Sequence, residues 1–502
     1  MGDQIADLMT GFGHALTPMN LVWVFVGCLL GTAVGVLPGL GSSMAVALLL
    51  PVTFSLDPTA AFIMFAGIYY GGLFGDSTTA ILLNTPGASS AIASTFEGHR
   101  MAKRGRGPQA LATSAIGAFV GGIIATTLIA FFAPAMAQLA TVFGPAEYFA
   151  LAIVAFIATA AVVSDSAIKG VAALAIGLAL ALIGIDGISG ASRFTFGLPS
   201  LLDGIDIVVI TVGLLAVGEV LWVASRIHKD PVPTALTVGR RPYLSKSEFR
   251  EAMPAWLRGT AWGLPFGAIP AGGSEIPTFL AYGTERRLDQ RRRDPQFGKG
   301  AIRGLAAPES AANATAGTAM GSLLALGLPT SATAAIMLAA FQQYGMQPGP
   351  LLFTRNGDLV WALLASLFIG MVVLLIINLP FAPIWAKLLD IPKHYLYAGI
   401  SVFACLGVYA ASSSVVDLVL LVLLGLLGFV LRRFGMPLAP VLIGVILGPL
   451  AETSLRRTLA ISEGDPSALF ASGITLSLYG LLAVGIIWVA VQKLRTRAKV
   501  DI

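Results

Sequence analysis

The sequence predicts an all-α polytopic membrane protein of about twelve transmembrane helices, some broken or re-entrant, arranged as two inverted-topology repeats. Composition is the first ground: of 502 residues, 56% are hydrophobic and 11% are charged, and apolar runs recur along the whole chain. The second is a pair of Pro/Gly-rich blocks that interrupts those runs and occurs twice. The third is the distribution of Lys and Arg, which reverses between equivalent loops of the two halves.

A bilayer span needs roughly 20 mainly apolar residues. Candidate spans lie at 19–37, 59–75, 110–133, 147–163, 168–187 and 204–224 in the first half. The second half offers 256–281, 304–326, 358–380, 396–411, 415–431 and 437–450, and 472–491 follows them. Stretches at 42–54, 78–95 and 331–345 have half-membrane length. The repeats are assigned to 1–225 and 256–471, joined by a cytoplasmic polar linker at 226–255. Residues 472–502 add an extra C-terminal span and a basic tail. Met1–Asn20 contains no Lys or Arg, so the first apolar span is expected to be retained rather than cleaved as a signal peptide.

The blocks read Val36-Leu37-Pro38-Gly39-Leu40-Gly41-Ser42-Ser43 and Leu83-Asn84-Thr85-Pro86-Gly87-Ala88-Ser89 in the first half. In the second they read Ala268-Ile269-Pro270-Ala271-Gly272-Gly273-Ser274 and Leu326-Gly327-Leu328-Pro329-Thr330-Ser331-Ala332. Broken backbone at membrane depth survives only where it is buried in protein or lines a cavity. Helix packing through small residues is the plainer reading, and it suffices for Gly117–Gly121 and Gly177–Gly184. At the four blocks, proline and glycine together free several polar backbone groups beside hydroxyls, which points to a binding site.

Loop charge orients the blocks. Thr53–Pro58, after the first block, has no basic residue, whereas its counterpart carries Arg286, Arg287, Arg291, Arg292, Arg293, Lys299 and Arg303. After the second block the bias reverses: Arg100, Lys103, Arg104 and Arg106 face a counterpart with only Arg355. Cytoplasmic loops collect Lys and Arg, so equivalent loops are expected on opposite sides. Arg432, Arg433 and the tail bases Lys493, Arg495, Arg497 and Lys499 then fall inside. Arg456 and Arg457 fall outside, against the rule. The formal charge of +5 is accounted for by this topology rather than by nucleic acid.

Freed N–H groups at a half-helix start suit a carboxylate, and freed carbonyls with Ser, Thr and Asn oxygens suit a small hard cation. The substrate-binding candidates are Gly39, Leu40, Gly41, Ser42, Ser43, Asn84, Thr85, Gly87, Gly272, Gly273, Ser274, Thr330 and Ser331. No block contains Lys or Arg, so the substrate's charge would be offset by a cotransported sodium ion or proton. Asp76, Glu309 and Asn313 are the cation-coupling candidates, because ionisable groups at membrane depth are costly. Glu309 also reads as a first-turn cap after Pro308, and Glu275 is a further acid beside Ser274. Glu97-Gly98-His99-Arg100 reads as a solvated turn, and Cys28 and Cys405 as core fillers. His14, His228 and His394 are scattered, and there is no HExxH, Walker A or Gly-x-Ser-x-Gly motif. No enzyme, cofactor or resident metal is therefore expected. A scaffold subunit whose glycines serve packing alone is the competing reading.

These motifs together resemble the TctA family, the large membrane subunit of tripartite tricarboxylate transporters. The resemblance runs through Leu37–Gly41, Tyr69–Gly72, Ala80–Gly87, Gly190–Gly197, Phe297–Gly300, Pro308–Ala314 and Gln347–Pro350. It implies a bacterial inner-membrane carrier, multi-pass with a cytoplasmic C-terminus. Its implied partners are a small four-span membrane subunit of the TctB kind and a periplasmic solute-binding protein of the TctC kind. It implies uptake of tricarboxylates or related carboxylates on a sodium or proton gradient; a stand-alone carboxylate carrier is the alternative. The chain departs from the family pattern at Pro270–Gly273, Ala312-Asn313, Gly327–Thr330 and Gly75-Asp76-Ser77. Those departures leave the cargo open and single out Asp76.

Overall fold

In the computed structural model, residues 2–37, 40–53, 56–162, 166–226, 236, 243–269 and 273–497 are described. Helix α1 (Gly2–Ala15) leads into α2 (Pro18–Gly35), where Pro18 sits in the first turn and its missing N–H costs nothing. Then come α3 (Ser42–Thr53) and α4 (Pro58–Leu83), the latter capped by Asp57, whose carboxylate accepts from the Thr59 N–H at 3.0 Å. A 3-10 turn at Ser89–Ala91 opens α5 (Ile92–Met101), and a kink at Gly105 joins it to α6 (Gly107–Ala140). Helices α7 (Pro145–Val162) and α8 (Ala167–Ala181) follow. A loop with a two-residue antiparallel ladder, Gly184–Ile185 against Ser192–Arg193, leads to α9 (Ile207–Val212), which continues through a π-turn into α10 (Gly218–Ala224).

The second half opens with α11 (Lys246–Ala268), started by a Ser245/Glu248 capping box. It continues with α12 (Glu275–Asp289), α13 (Ile302–Leu326) and α14 (Ala332–Gln343). After α15 (Leu352–Arg355) come α16 (Gly357–Asn378), α17 (Ala382–Leu388), α18 (Lys393–Ser412) and α19 (Val415–Arg433). Helices α20 (Leu438–Ile461) and α21 (Gly473–Arg497) close the chain.

Among the described residues, 7 helices are long and apolar enough to cross a bilayer, fewer than the dozen expected. The difference has a physical cause. Helix α13 is wrapped by protein along its length and carries Glu309, Ser310, Asn313 and Thr315 in its buried surface, so it needs no apolar exterior. Five further apolar helices are shorter, including Pro145–Ala160 and Ala167–Ala181. Three boundaries also move. The run 256–281 is divided, since α11 ends at Ala268 and α12 begins at Glu275. The half-segment 78–95 is shared between the end of α4 and the start of α5. The end of the 226–255 linker is helical from Lys246.

Two glycine ladders set the closest packing. Helix α2 lays Gly27, Gly31 and Gly35 on α4, where an added Cβ would meet the carbonyl oxygens of Met64, Ile68 and Gly72 at 2.3, 2.5 and 2.3 Å. Helix α11 lays Gly259, Gly263 and Gly267 on α13, where a Cβ would meet the carbonyls of Ala307, Ala311 and Thr315 at 2.1, 2.3 and 2.2 Å. Spacing of four residues keeps each ladder on one helix face. The rest of the packing is also paired: α6 lies on α13 and α16 on α4, while α8 lies on α20 and α10 on α19. Gly121 and Gly177 pack as expected, against the Ser310 and Val441 carbonyls. Phe62 of α4 stacks on Phe341 of α14 with ring centroids 3.8 Å apart, in the core beneath the breaks.

Candidate functional site

Both long central helices end the same way. Helix α4 stops at Asn84 (φ 56°) and α13 at Gly327 (φ 68°), each in the left-handed region that turns the chain out of the helix. Past each stop the chain restarts as a new helix. Ser331 caps α14 by accepting from the Ala334 N–H at 3.2 Å, and the 3-10 turn at Ser89 opens α5. The outer breaks restart likewise, at Ser42 in α3 and at Glu275 in α12.

All four restarts line one cavity of ≈ 350 Å³. Its wall includes Gly41, Ser42 and Ser43 from the first break and Gly87, Ser89 and Ser90 from the second. Gly273, Ser274 and Glu275 come from the third, and Thr330, Ser331 and Thr333 from the fourth. Four helix N-termini therefore converge there, each with a positive dipole end and N–H groups without helical partners. The breaks are cross-linked in pairs: Ser42 Oγ lies 3.2 Å from Thr333 Oγ1, and Ser89 Oγ donates to Glu275 at 2.5 Å. Thr330 Oγ1 is buried with no hydrogen-bond partner among the described residues. Helices without a break complete the lining with Thr159, Leu215, Glu219, Arg432, Leu438, Ala439 and Ile443.

Eight of the thirteen substrate-binding candidates thus meet in one place: Gly41, Ser42, Ser43, Gly87, Gly273, Ser274, Thr330 and Ser331. Gly39 and Gly272 lie outside the described residues. Three others do something else. Leu40 is core, 1% exposed. Asn84 is the left-handed stop of α4 with an exposed side chain, because Asn tolerates that conformation better than most residues. Thr85 turns back on the end of α4, its hydroxyl donating to the Leu83 carbonyl at 3.3 Å.

The cation candidates form a second cluster, where α4, α6 and α13 meet. Glu309 Oε2 accepts from Ser77 Oγ at 2.6 Å and from Ser114 Oγ at 2.9 Å, with Ser94 also beside the carboxyl, while its Oε1 has no geometric hydrogen-bond partner among the described residues. Both oxygens of Asp76 and the Oδ1 of Asn313 are also buried without partners among the described residues. Asn313 donates its amide to the Glu309 carbonyl at 3.0 Å, so its free oxygen is the acceptor left over. Asp76 reaches toward the wall of the cavity at the breaks: a Cβ on Gly87 would lie 2.3 Å from Asp76 Oδ1. Unpaired acceptors around two carboxylates are the donor set a hard cation takes. Among the described residues no cluster of three or more His, Cys, Asp or Glu is present, so neutral oxygens would complete such a shell. Glu309 is no cap, since α13 begins at Ile302, two turns earlier.

Several groups escaped the sequence reading. Tyr69, Glu219 and Arg432 also line the cavity. The signal for Glu219 was present as an acid inside the otherwise apolar run Ile207–Ala224. Glu97 is not a solvated residue: it is fully buried and accepts from the backbone N–H groups of Gly298, Gly300 and Ala301 at 2.7, 2.8 and 2.8 Å. Cys28 is buried as expected, but Cys405 is exposed on its helix. Arg456, on the face expected to lack bases, pairs with Asp186 at 2.9 Å and Glu452 at 3.2 Å, so its charge is neutralised locally.

The model of the tripartite tricarboxylate transporter TctA family matches residues 21–443. An uncharacterized 52.8 kDa protein in the TAR-I ttuC' 3'region of Agrobacterium vitis is 42% identical over 504 residues, covering 100% of this chain and 99% of that protein. An uncharacterized protein in the TAR-II ttuC' 3'region of the same organism is 39% identical over 231 residues, covering 46% of this chain and 95% of its own length. No solved structure matches. The match takes in all four breaks and the carboxylate cluster between them, and this multi-pass membrane chain belongs to the TctA family of tripartite tricarboxylate transporters.

Proposed function

We propose that this chain is the membrane subunit through which a tricarboxylate or related carboxylate enters the cell on a sodium or proton gradient. The observation that carries the reading is the convergence of four helix N-termini on one cavity. Anions bind at such ends because the N–H groups and the dipole both favour negative charge. Glu309, Asp76 and Asn313 take the coupling cation, and a bound cation offsets both the buried carboxylates and the arriving anion. Gly87, pressed against Asp76, links the two sites through one backbone turn.

The chain works in a bacterial inner membrane with its C-terminus inside. A periplasmic binding protein delivers the carboxylate, and a small four-span subunit completes the membrane complex. Residues 1–225 and 256–471 act as inverted repeats. The two glycine ladders and the paired packing of α6 on α13 and α16 on α4 support that reading. Alternating access follows from motion of the bundle carrying the breaks against the wall formed by α7, α10, α19 and α20.

The test is uptake of di- and tricarboxylates into proteoliposomes with imposed sodium or pH gradients, with and without the binding protein. Gradient-dependent uptake that Asp76→Asn and Glu309→Gln uncouple supports the reading; equal uptake without a gradient refutes the coupling. Uptake by this chain alone would instead identify a stand-alone carrier.

A further inference from the structure

The blocks contain no cation, yet the cavity has one. Among its described lining residues the carboxyl and guanidinium side chains are Glu219, Glu275 and Arg432. Arg432 lies in the last turn of α19, away from every break, and forms a salt bridge with Glu219 of α10. The Glu219 side chain is 7% exposed, whereas that of Arg432 is 40% exposed, so the acid is the more deeply buried partner. Trp222 steadies the arrangement: its ring centroid lies 5.1 Å from the Arg432 guanidinium carbon and 4.0 Å from that of Arg226.

This pair comes from helices other than those that restart at the breaks. Thr159 of α7, Leu215, and Leu438, Ala439 and Ile443 of α20 line the same cavity. Thr159 near the end of α7 and Leu438 and Ala439 at the start of α20 lie at the ends that the Lys/Arg-rich loops assign to the cytoplasm, as does Arg432 at the end of α19. The cavity therefore reaches from the breaks toward the face bearing Arg432 and Arg433.

We propose that Arg432 is the anion-selecting residue at the cytoplasmic mouth of the cavity, and that Glu219 occupies its guanidinium when no carboxylate is there. A substrate carboxylate leaving the helix N-termini exchanges with the Glu219 carboxylate on Arg432, a swap of one like charge for another. Guanidinium suits this role because it binds carboxylates through a planar fork and stays charged when partly buried. Glu219 prevents an unpaired cation from trapping the anion, so release remains fast. This inference rests on reading the cavity as a carboxylate path.

The experiment reads charge selectivity directly. In a background lacking Cys28 and Cys405, Ala332→Cys is placed in the cavity wall. Inside-out vesicles are then labelled with an anionic sulfonate methanethiosulfonate or with its cationic trimethylammonium analogue. The expected result is faster labelling by the anionic reagent. Arg432→Gln should lower the anionic-to-cationic rate ratio about tenfold, Glu219→Gln should raise it, and Arg432→Lys should largely keep it. Combining Glu219→Arg with Arg432→Glu keeps an ion pair but should reverse the preference, which a purely structural pair would not do. Equal ratios in all these variants would overturn the proposal while leaving carboxylate uptake standing. Failure of the parent protein to transport any carboxylate would strike the functional reading without changing these ratios.

Discussion

The Ser89 hydroxyl donates to the Glu275 carboxylate at 2.5 Å across 186 positions of sequence, tying the second break of one half to the first break of the other. Ser42 and Thr333, 3.2 Å apart, make the reciprocal link. In both pairs the start of one half-helix is fixed against the start of another, so the four N-terminal ends are held around a common space. Removing one partner should loosen that space. A hydrogen bond to a charged group contributes about 1.5–3 kcal/mol, and 1.4 kcal/mol is a tenfold change in binding. Ser89→Ala should therefore weaken carboxylate binding about tenfold or more, read by substrate titration of purified protein. An unchanged affinity would separate this bond from the site.

Asn84 offers a test of backbone against side chain. Its left-handed conformation ends α4, as that of Gly327 ends α13. Glycine adopts that conformation freely, whereas alanine is strained there by about 1–2 kcal/mol. Asn84→Gly should retain near-normal uptake and Asn84→Ala should lose stability and rate. Equal loss in both would make the amide itself a ligand.

Glu97 holds the loop before α13 by three backbone hydrogen bonds, and Gly298 and Gly300 in that loop have φ of 83° and 82°. Glu97→Gln turns an amide N–H toward those donors and leaves a buried N–H group unpaired. The expected loss is on the order of 2–3 kcal/mol, visible as a lower melting temperature in detergent. A melting temperature equal to wild type would mean that the loop is held by other contacts.

Asp186 orders the loop between α8 and α9. The Ser189 hydroxyl and the Ile188 N–H, with Arg456 and Arg193 beside them, hold its carboxyl well below the usual carboxylate range. A carboxylate depressed in the folded state contributes fully above its unfolded pKa, and the contribution is lost progressively as pH falls from that value to the folded one. Hydrogen exchange across this loop, corrected for intrinsic rates, should be the same at neutral pH and at about pH 4.5, near the unfolded carboxylate pKa. Asp186→Asn should lose protection at both. A wild-type loop that opens by pH 4.5 would contradict the assignment.

How far the sequence could be read follows from what each residue does. The breaks were visible because proline and glycine inside apolar runs leave backbone groups that something must satisfy. The glycine ladders at Gly27/Gly31/Gly35 and Gly259/Gly263/Gly267 stand in the sequence as a repeat of four, although only Gly117–Gly121 and Gly177–Gly184 are assigned to packing from it. Asn84 reads in the sequence as a ligand because it stands at a break, while its backbone angle gives it a further part as the stop of α4. Glu97 was misread because local charge suggested solvent, while its partners lie some two hundred positions away. Arg432 was assigned to topology alone, since sequence position cannot say that the end of α19 faces the cavity. Contacts between distant segments were the recurrent blind spot.

The central claim is that a carboxylate binds where the four helix N-termini meet. It is tested most directly by Ser43→Cys in the background without Cys28 and Cys405, labelled with a maleimide in the presence of each member of a di- and tricarboxylate panel. The account predicts that the transported carboxylate slows labelling at this position, in a manner dependent on the coupling cation, and leaves labelling unchanged in a control protein that keeps only the exposed Cys405. Labelling that no transported carboxylate slows would contradict it.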